Sequence, residues 1–200
     1  GFEVEGPAKH ITHQKVLEDF RYKKHNDTGI AARGEHIIIR NNVVHHCGHR
    51  GIGPYNADHI TIENNIVYNN TWLTTSGGHG LSAPAMASTD NRADLLKVVI
   101  RGNLSFANEE HFFTMLHNKP EYTFYVGGEG SGIHVQDNKT SSDGTTGTHV
   151  GKILIENNLA LYNSKAGIHV NTVEDVTIRN NVSADNGQFQ NTSGLSLQIA

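Results

Sequence analysis

Apolar and polar positions alternate in five segments that align without gaps: HIIIRNNVV (36–44), HITIENNIV (59–67), KVVIRGNLS (97–105), KILIENNLA (152–160) and DVTIRNNVS (175–183). Each reads x-[IV]-x-I-[RE]-[NG]-N-[VIL]-x. The two-residue period predicts a strand, and the Asn pair predicts a bend. A second anchor, Gly-[IL]-x, recurs as GIA (29), GIG (51), GLS (80), GIH (132), GIH (167) and GLS (194), and the two anchors alternate along the chain. No segment shows a helical apolar period.

Each repeat thus supplies three short strands: the Gly-[IL] strand, the I-x-I strand and the stretch after the Asn pair. A minimal coil of 22–23 residues has no room for a crossover helix. Such units bury one apolar face only by winding and stacking like strand on like strand. The fold expected is all-β, a single-stranded right-handed parallel β-helix. An irregular N-terminal segment over 1–28 precedes coils over 29–200.

Stacking sets columns of equivalent residues. Asn42, Asn65, Asn103, Asn158 and Asn181 are expected to form an internal amide ladder. Arg40, Glu63, Arg101, Glu156 and Arg179 alternate in sign down an outward column, which pairs unlike charges between neighbours. His45, Tyr68, Phe106, Leu161 and Ala184 are expected to form an inward column.

The spacing between anchors locates insertions. Gly51 to Asn65 and Gly167 to Asn181 are each 14 residues, but Gly80 to Asn103 is 23 and Gly132 to Asn158 is 26. Insertions follow at about 84–96, 107–131 and 137–151, with a shorter one at about 70–79. All border the Gly-[IL] strands, so they are expected to wall a groove floored by the outer face of those strands. In Gly-Ile-x-Val the third residue points outward. That column contains Gly53, Ser82, His134 and His169, and the next outward column contains Tyr55, Gln136 and Asn171.

The groove residues suit a hydrogen-bonding ligand such as a sugar chain. His134 and His169 are candidate proton-transfer groups, since an imidazole titrates near neutrality. Lys119 and Tyr122, from the 107–131 insertion, are candidate bases. His79, Ser82, Tyr55, Gln136, Asn171 and His117 are candidate substrate contacts. Asp90, Asp94, Asp137 and Asp143 lie on groove-edge loops and are candidate oxygen ligands for calcium, although Asp is also an ordinary turn former. HHCGHR (45–50) carries metal-ligand residue types. Strand parity sends His45 and His46 to opposite sides, however, and leaves only Cys47 and His49 able to converge, so a packed turn is expected there.

The N-N-x-[VAS] turns and G-I-x-V strands resemble those of the right-handed β-helix superfamily of pectate lyases and polygalacturonases. HIIIRNNVVHHCGHRGIG with ADHITIENNIVYNN resembles secreted proteins that carry a right-handed β-helix region. The resemblance covers about 29–200. It implies a secreted or cell-surface, carbohydrate-active protein. It also implies lyase chemistry in which Lys, Arg, His or Tyr takes the proton α to a uronate carboxylate while a cation neutralises that carboxylate. SGGHGLS (76–82) is similar to the Gly-His-Gly-[IL]-Ser motif of polygalacturonases. The Asp pair and the Arg-Ile-Lys motif that should accompany it are absent. Hydrolysis is therefore the second expectation, with Glu129 and Asp137 as the carboxylates near the floor. A non-catalytic glycan-binding or cell-surface module is the third.

Composition narrows the classes further. Hydrophobic residues make up 36% of the 200, Gly numbers 21 and the formal charge is −4. There is no basic surface excess for nucleic acid, and no apolar run approaches a membrane span. Cys47 is the single cysteine, so no intramolecular disulfide is possible. GLSLQIA (194–200) opens a repeat without finishing it, so a monomer or a piece of a longer chain is expected.

Overall fold

A computed structural model describes residues 1–6, 27–72, 78–110, 129–136 and 148–187, with the backbone of one further strand at Leu195–Leu197. Fifteen strands are present among them, and every pairing is parallel. The short strands after the Asn pairs are β3 (Val43–His45), β5 (Ile66–Tyr68), β8 (Leu104–Phe106), β11 (Leu159–Leu161) and β14 (Val182–Ala184). They stack in chain order behind β1 (Glu3–Glu5). The I-x-I strands are β7 (Leu96–Arg101), β10 (Lys152–Glu156) and β13 (Val176–Arg179). The Gly-[IL] strands are β6 (Leu81–Pro84), β9 (Ile133–Gln136), β12 (Ile168–Asn171) and β15 (Leu195–Leu197). In the first two coils both kinds run unbroken, as β2 (Ile30–Arg40) and β4 (Ile52–Glu63). This is the parallel β-helix expected.

Bends at both ends of each short strand use left-handed backbone. The first residue of each Asn pair has positive φ: Asn41 (58°), Asn64 (55°), Gly102 (64°), Asn157 (55°) and Asn180 (54°). Gly and Asn reach that region at low cost, which explains the composition of the motif. The second Asn turns inward. Asn65 Nδ2 donates to Asn103 Oδ1 at 3.0 Å, and Asn103 Nδ2 to Asn158 Oδ1 at 3.0 Å. Each Oδ1 also accepts the backbone N–H of the coil before it.

A second amide ladder, not expected, lies five residues further on. Asn70 Nδ2 donates to Asn108 Oδ1 at 3.0 Å, Asn108 Nδ2 to Asn163 Oδ1 at 3.0 Å, and Asn163 Nδ2 to Asn186 Oδ1 at 2.9 Å. Cys47 occupies its first position, with its N–H on Asn70 Oδ1 at 3.0 Å. This ladder explains the Gly of Gly-[IL]. A Cβ on Gly51 would lie 2.7 Å from Asn70 Nδ2, and one on Gly132 would lie 2.6 Å from Asn163 Nδ2.

The core is aliphatic. Ile52, Ile62, Leu81, Ile100, Ile133 and Ile155 are fully buried, and burying each such side chain contributes about 1.5–3 kcal/mol. Arg101 pairs with Glu63 at 2.7 Å and Arg179 with Glu156 at 2.8 Å, so the alternating charge column forms as expected.

Two expectations need correction. The column His45, Tyr68, Phe106, Leu161, Ala184 is in register, but it faces outward. The inward column is Val44, Val67, Ser105 and Ala160, all fully buried. The interior is narrow here: a Cβ on Gly51 would meet Val67 Cγ1 at 2.5 Å. Only small residues fit inside, and the rings stack outside, with Tyr68 on Phe106 at 5.0 Å between centroids. Residues 1–28 are also not wholly irregular. Glu3–Glu5 pair with Val43–His45, a strand too short to show a sequence period.

Candidate functional site

The outward column of the Gly-[IL] strands is built as expected and covered where it was expected to be open. Ile133 and Val135 enter the core with no exposure, which turns His134 to the other face. The sheet register puts Ser82 beside His134 and His134 beside His169. The two imidazoles stack with centroids 4.8 Å apart and planes 29° apart. Yet His134 is 2% exposed, His169 7% and Ser82 0%. They form a covered polar seam, not a bare groove floor.

His79 joins the row from the turn before β6. Its ring centroid is 3.8 Å from that of His134. His79 Nδ1 accepts the Ser131 N–H at 3.1 Å, which leaves the proton on Nε2, facing Glu129 Oε2 at 3.2 Å. Glu129, named above as an acid for hydrolysis, is thereby engaged. Arg50 lies over the start of the row: a Cβ on Gly53 would stand 2.7 Å from Arg50 Cδ.

Burial, above all, drives the imidazoles towards the neutral form. His134 and His79 are held well below the usual histidine range, with Lys165, Arg50 and the neighbouring imidazoles adding positive potential. His169 is lowered to about 4, by burial and then by Lys165. Both ring nitrogens of His134, Nδ1 of His169 and the hydroxyls of Ser82 and Ser131 are buried without a hydrogen-bond partner. Buried polar atoms in folded proteins are nearly always satisfied. A seam of five such atoms is chemically unfinished and suits a ligand or waters rich in hydroxyl groups.

The next outward column is the accessible one. Tyr55, Gln136 and Asn171 are all partly exposed, and the Arg33 guanidinium lies 4.1 Å above the Tyr55 ring.

Among comparisons with known proteins, residues 10–145 match the family described as "Right handed beta helix region". This chain belongs to that family. No curated protein matches it. A crystal structure of pectate lyase Pel9A is similar over 84% of this chain and 52% of that one, at 16% identity and a TM-score of 0.35. The chain therefore spans about half the length of that structure.

Within this β-helix, the insertion at about 84–96 is tied down through Asp90, a candidate calcium ligand above, by Lys97 and Asp58, which the sequence did not single out. Lys97 is fully buried, and its Nζ donates to Asp90 Oδ1 at 2.8 Å and Asp58 Oδ2 at 3.4 Å. A bulge makes this possible. Lys152 pairs with Leu96 but Ile153 with Val98, so Lys97 is the extra residue, and its side chain is buried against the insertion rather than in the core. Asp58 also accepts Thr89 N–H at 2.8 Å and His59 N–H at 3.0 Å. Ser88 Oγ donates to the Val150 carbonyl at 2.9 Å, locking the insertion to the segment before β10.

Asp90 already holds the Lys97 ammonium and the Arg92 N–H, which lower its carboxyl to about 2. Asp94 turns to Arg92 at 3.4 Å. Asp90 and Asp94 thus each face a cation of the protein itself, and Asp90 lies with Asp58 and His59 rather than with Asp94. Asp137, Asp143, Lys119, Tyr122 and His117 lie outside the described residues. A shallow cleft of about 270 Å³ on the outer face of the I-x-I strands, lined by His36, Ile38, His59, Thr61, Leu96, Lys97 and Val99, includes none of the histidine row. Arg50, Lys165 and Ser131 were missed, although Arg50 and Ser131 each immediately precede the Gly of a Gly-[IL] anchor, as His79 does. Each lies in a turn beside a Gly-[IL] strand.

Proposed function

We propose that this β-helix is a secreted or cell-surface protein that binds an acidic polysaccharide across the row Ser82–His134–His169 and cleaves it by β-elimination. The observation behind this reading is the seam of buried, unpartnered hydroxyl and imidazole atoms flanked by Arg50 and Lys165. Sugar hydroxyls would satisfy the orphaned atoms, and the two cations would offset a uronate carboxylate. His169, at the less covered end, takes the proton from the carbon α to that carboxylate. The bond from the β-carbon to the leaving glycosidic oxygen breaks, a carbon–carbon double bond forms, and the leaving oxygen takes a proton from solvent. A base with a depressed pKa is weak. A carboxylate brought beside it raises that pKa, so the substrate activates its own base.

The same depressed pKa values favour a second reading, in which the row binds glycan through neutral imidazoles without cleaving it. The experiment is ultraviolet absorbance for unsaturated uronate ends during incubation with a panel of uronate polysaccharides, with gel-shift binding measured alongside. Absorbance that His169→Ala abolishes supports the lyase. Binding without absorbance supports the second reading. Neither signal for any polysaccharide overturns both.

A further inference from the structure

His45 and His46 are adjacent in sequence, and strand alternation should send them to opposite faces. They do not separate. His46 adopts φ 55°, which turns the backbone at the end of β3 and brings its ring back. His45 Nδ1 and His46 Nδ1 are 2.7 Å apart. Cys47 and His49, the two that parity left able to converge, do not. The thiol is buried against the His45 carbonyl and pushed up to about 12, mainly by burial, and His49 Nδ1 faces Thr28 Oγ1 at 3.5 Å.

β1 completes the cluster. It runs beside β3 with Glu5 opposite His45, and Glu5 Oε1 lies 3.9 Å from His45 Nδ1. One ligand atom from each of Glu5, His45 and His46 falls within 4.8 Å of the other two. Glu3 Oε1 lies 3.2 Å from His45 Nε2. It accepts the Nε2 proton and leaves the Nδ1 lone pair facing the cluster. That is the carboxylate–histidine arrangement which orients metal-ligating imidazoles. The His45 ring is further fixed by stacking on Tyr68, with centroids 4.9 Å apart. His45 is buried, His46 half-buried and Glu5 exposed, so one side stays open to water ligands.

We propose that Glu5, His45 and His46 bind a divalent transition-metal ion of the zinc or cobalt class, which staples the first strand onto the helix. Two imidazoles and a carboxylate are a familiar donor set for such ions, with water completing the shell. Without metal, His46 Nδ1–H donates to His45 Nδ1. On binding, that proton moves through solvent to His46 Nε2, so both Nδ1 lone pairs face the ion and no net charge is lost. The nitrogens must separate to about 3.4 Å for tetrahedral bonds of about 2.05 Å. The open side allows this.

The test is titration of the metal-free protein with Co²⁺ followed by its visible d–d bands, then displacement by Zn²⁺, with melting temperature read in parallel. His46→Asn keeps a residue that tolerates left-handed backbone, and Glu5→Gln changes an exposed strand residue. Wild type is expected to bind one Co²⁺ with tetrahedral or five-coordinate bands and to melt higher with Zn²⁺. Each variant is expected to lose more than about tenfold in affinity and to lose the thermal shift. No Co²⁺ spectrum at millimolar metal overturns the site. So does a spectrum that neither variant weakens, since the ion would then sit on other histidines.

Discussion

His134 and His169 occupy the same position on adjacent coils, with ring centroids 4.8 Å apart, and both are turned away from the core yet buried. A parallel β-helix imposes this stacking, because equivalent positions recur directly above one another. What is particular to this chain is the cover over the pair and the orphaned nitrogens beneath it. Imidazoles held neutral, between two cations and among unpartnered hydroxyls, are the features on which the proposed acidic, hydroxyl-rich ligand rests.

The pH dependence of stability follows from the row. His79, His134 and His169 have folded-state pKa values below the unfolded value near 6.5. The unfolded chain therefore binds more protons than the folded one, and stability rises with pH in that window. The contribution is complete above about pH 6.5 and is lost as pH falls towards the folded values, about 4 for His169. Unfolding free energies from urea titrations between pH 7.5 and 4 are expected to fall by up to about 1.4 kcal/mol per pH unit for each histidine. His134→Asn should flatten the slope. An unchanged slope would contradict the burial of His134.

Asn103→Ala is expected to cost at least about 3 kcal/mol, because it removes partners from several buried groups at once. Asn65 loses the acceptor for its N–H and its Nδ2, and the Ile62 carbonyl loses its donor. Equilibrium denaturation measures this. A loss below about 0.5 kcal/mol, the scale of an ordinary surface change, would show that the ladder is not structural.

Gly51→Ala probes the second ladder. The new methyl would meet Val67 Cγ1 at 2.5 Å, Asn70 Nδ2 at 2.7 Å and the Gly80 carbonyl at 2.7 Å. Two of the three neighbours are fixed by the helix, so overpacking of about 1–3 kcal/mol is expected by thermal unfolding. A neutral result would mean that the coil opens easily at this corner.

Lys97→Met leaves Asp58 buried without its cation and should destabilise by about 3 kcal/mol, with Lys97→Met/Asp58→Asn recovering much of the loss. Partial proteolysis is expected to reach the 84–96 insertion first in the single variant. Failure of the double variant to recover would mean that Lys97 packs rather than pairs.

Much of this architecture is legible in the chain. The I-x-I strands, the first amide ladder and the Arg40–Glu63–Arg101–Glu156–Arg179 column follow from period and spacing alone. The second ladder was equally visible, since Asn70, Asn108, Asn163 and Asn186 each follow a first-ladder Asn by five residues. Facing was harder to read. Alternation holds only within a strand, and left-handed residues such as His46 (55°) and His59 (51°) interrupt it. That is why His45 and His46 meet; the Tyr68 and Phe106 rings lie outside by simple alternation from the buried Val67 and Ser105. The bulge that buries Lys97 follows the long insertion, but nothing in the residue order announces it. The covering of His134 is a tertiary property: parity fixes which way the imidazole points, while burial depends on turns outside the repeat.

The most direct test of the histidine row is two-dimensional NMR of ¹⁵N-histidine-labelled protein titrated with uronate oligosaccharides and with neutral ones as control. The account predicts that the His134 and His169 ring nitrogens shift on addition of the acidic ligand, and that the pKa of His169 rises from about 4 in the complex. Rings that stay put while other residues respond, or that respond equally to neutral sugars, would contradict it.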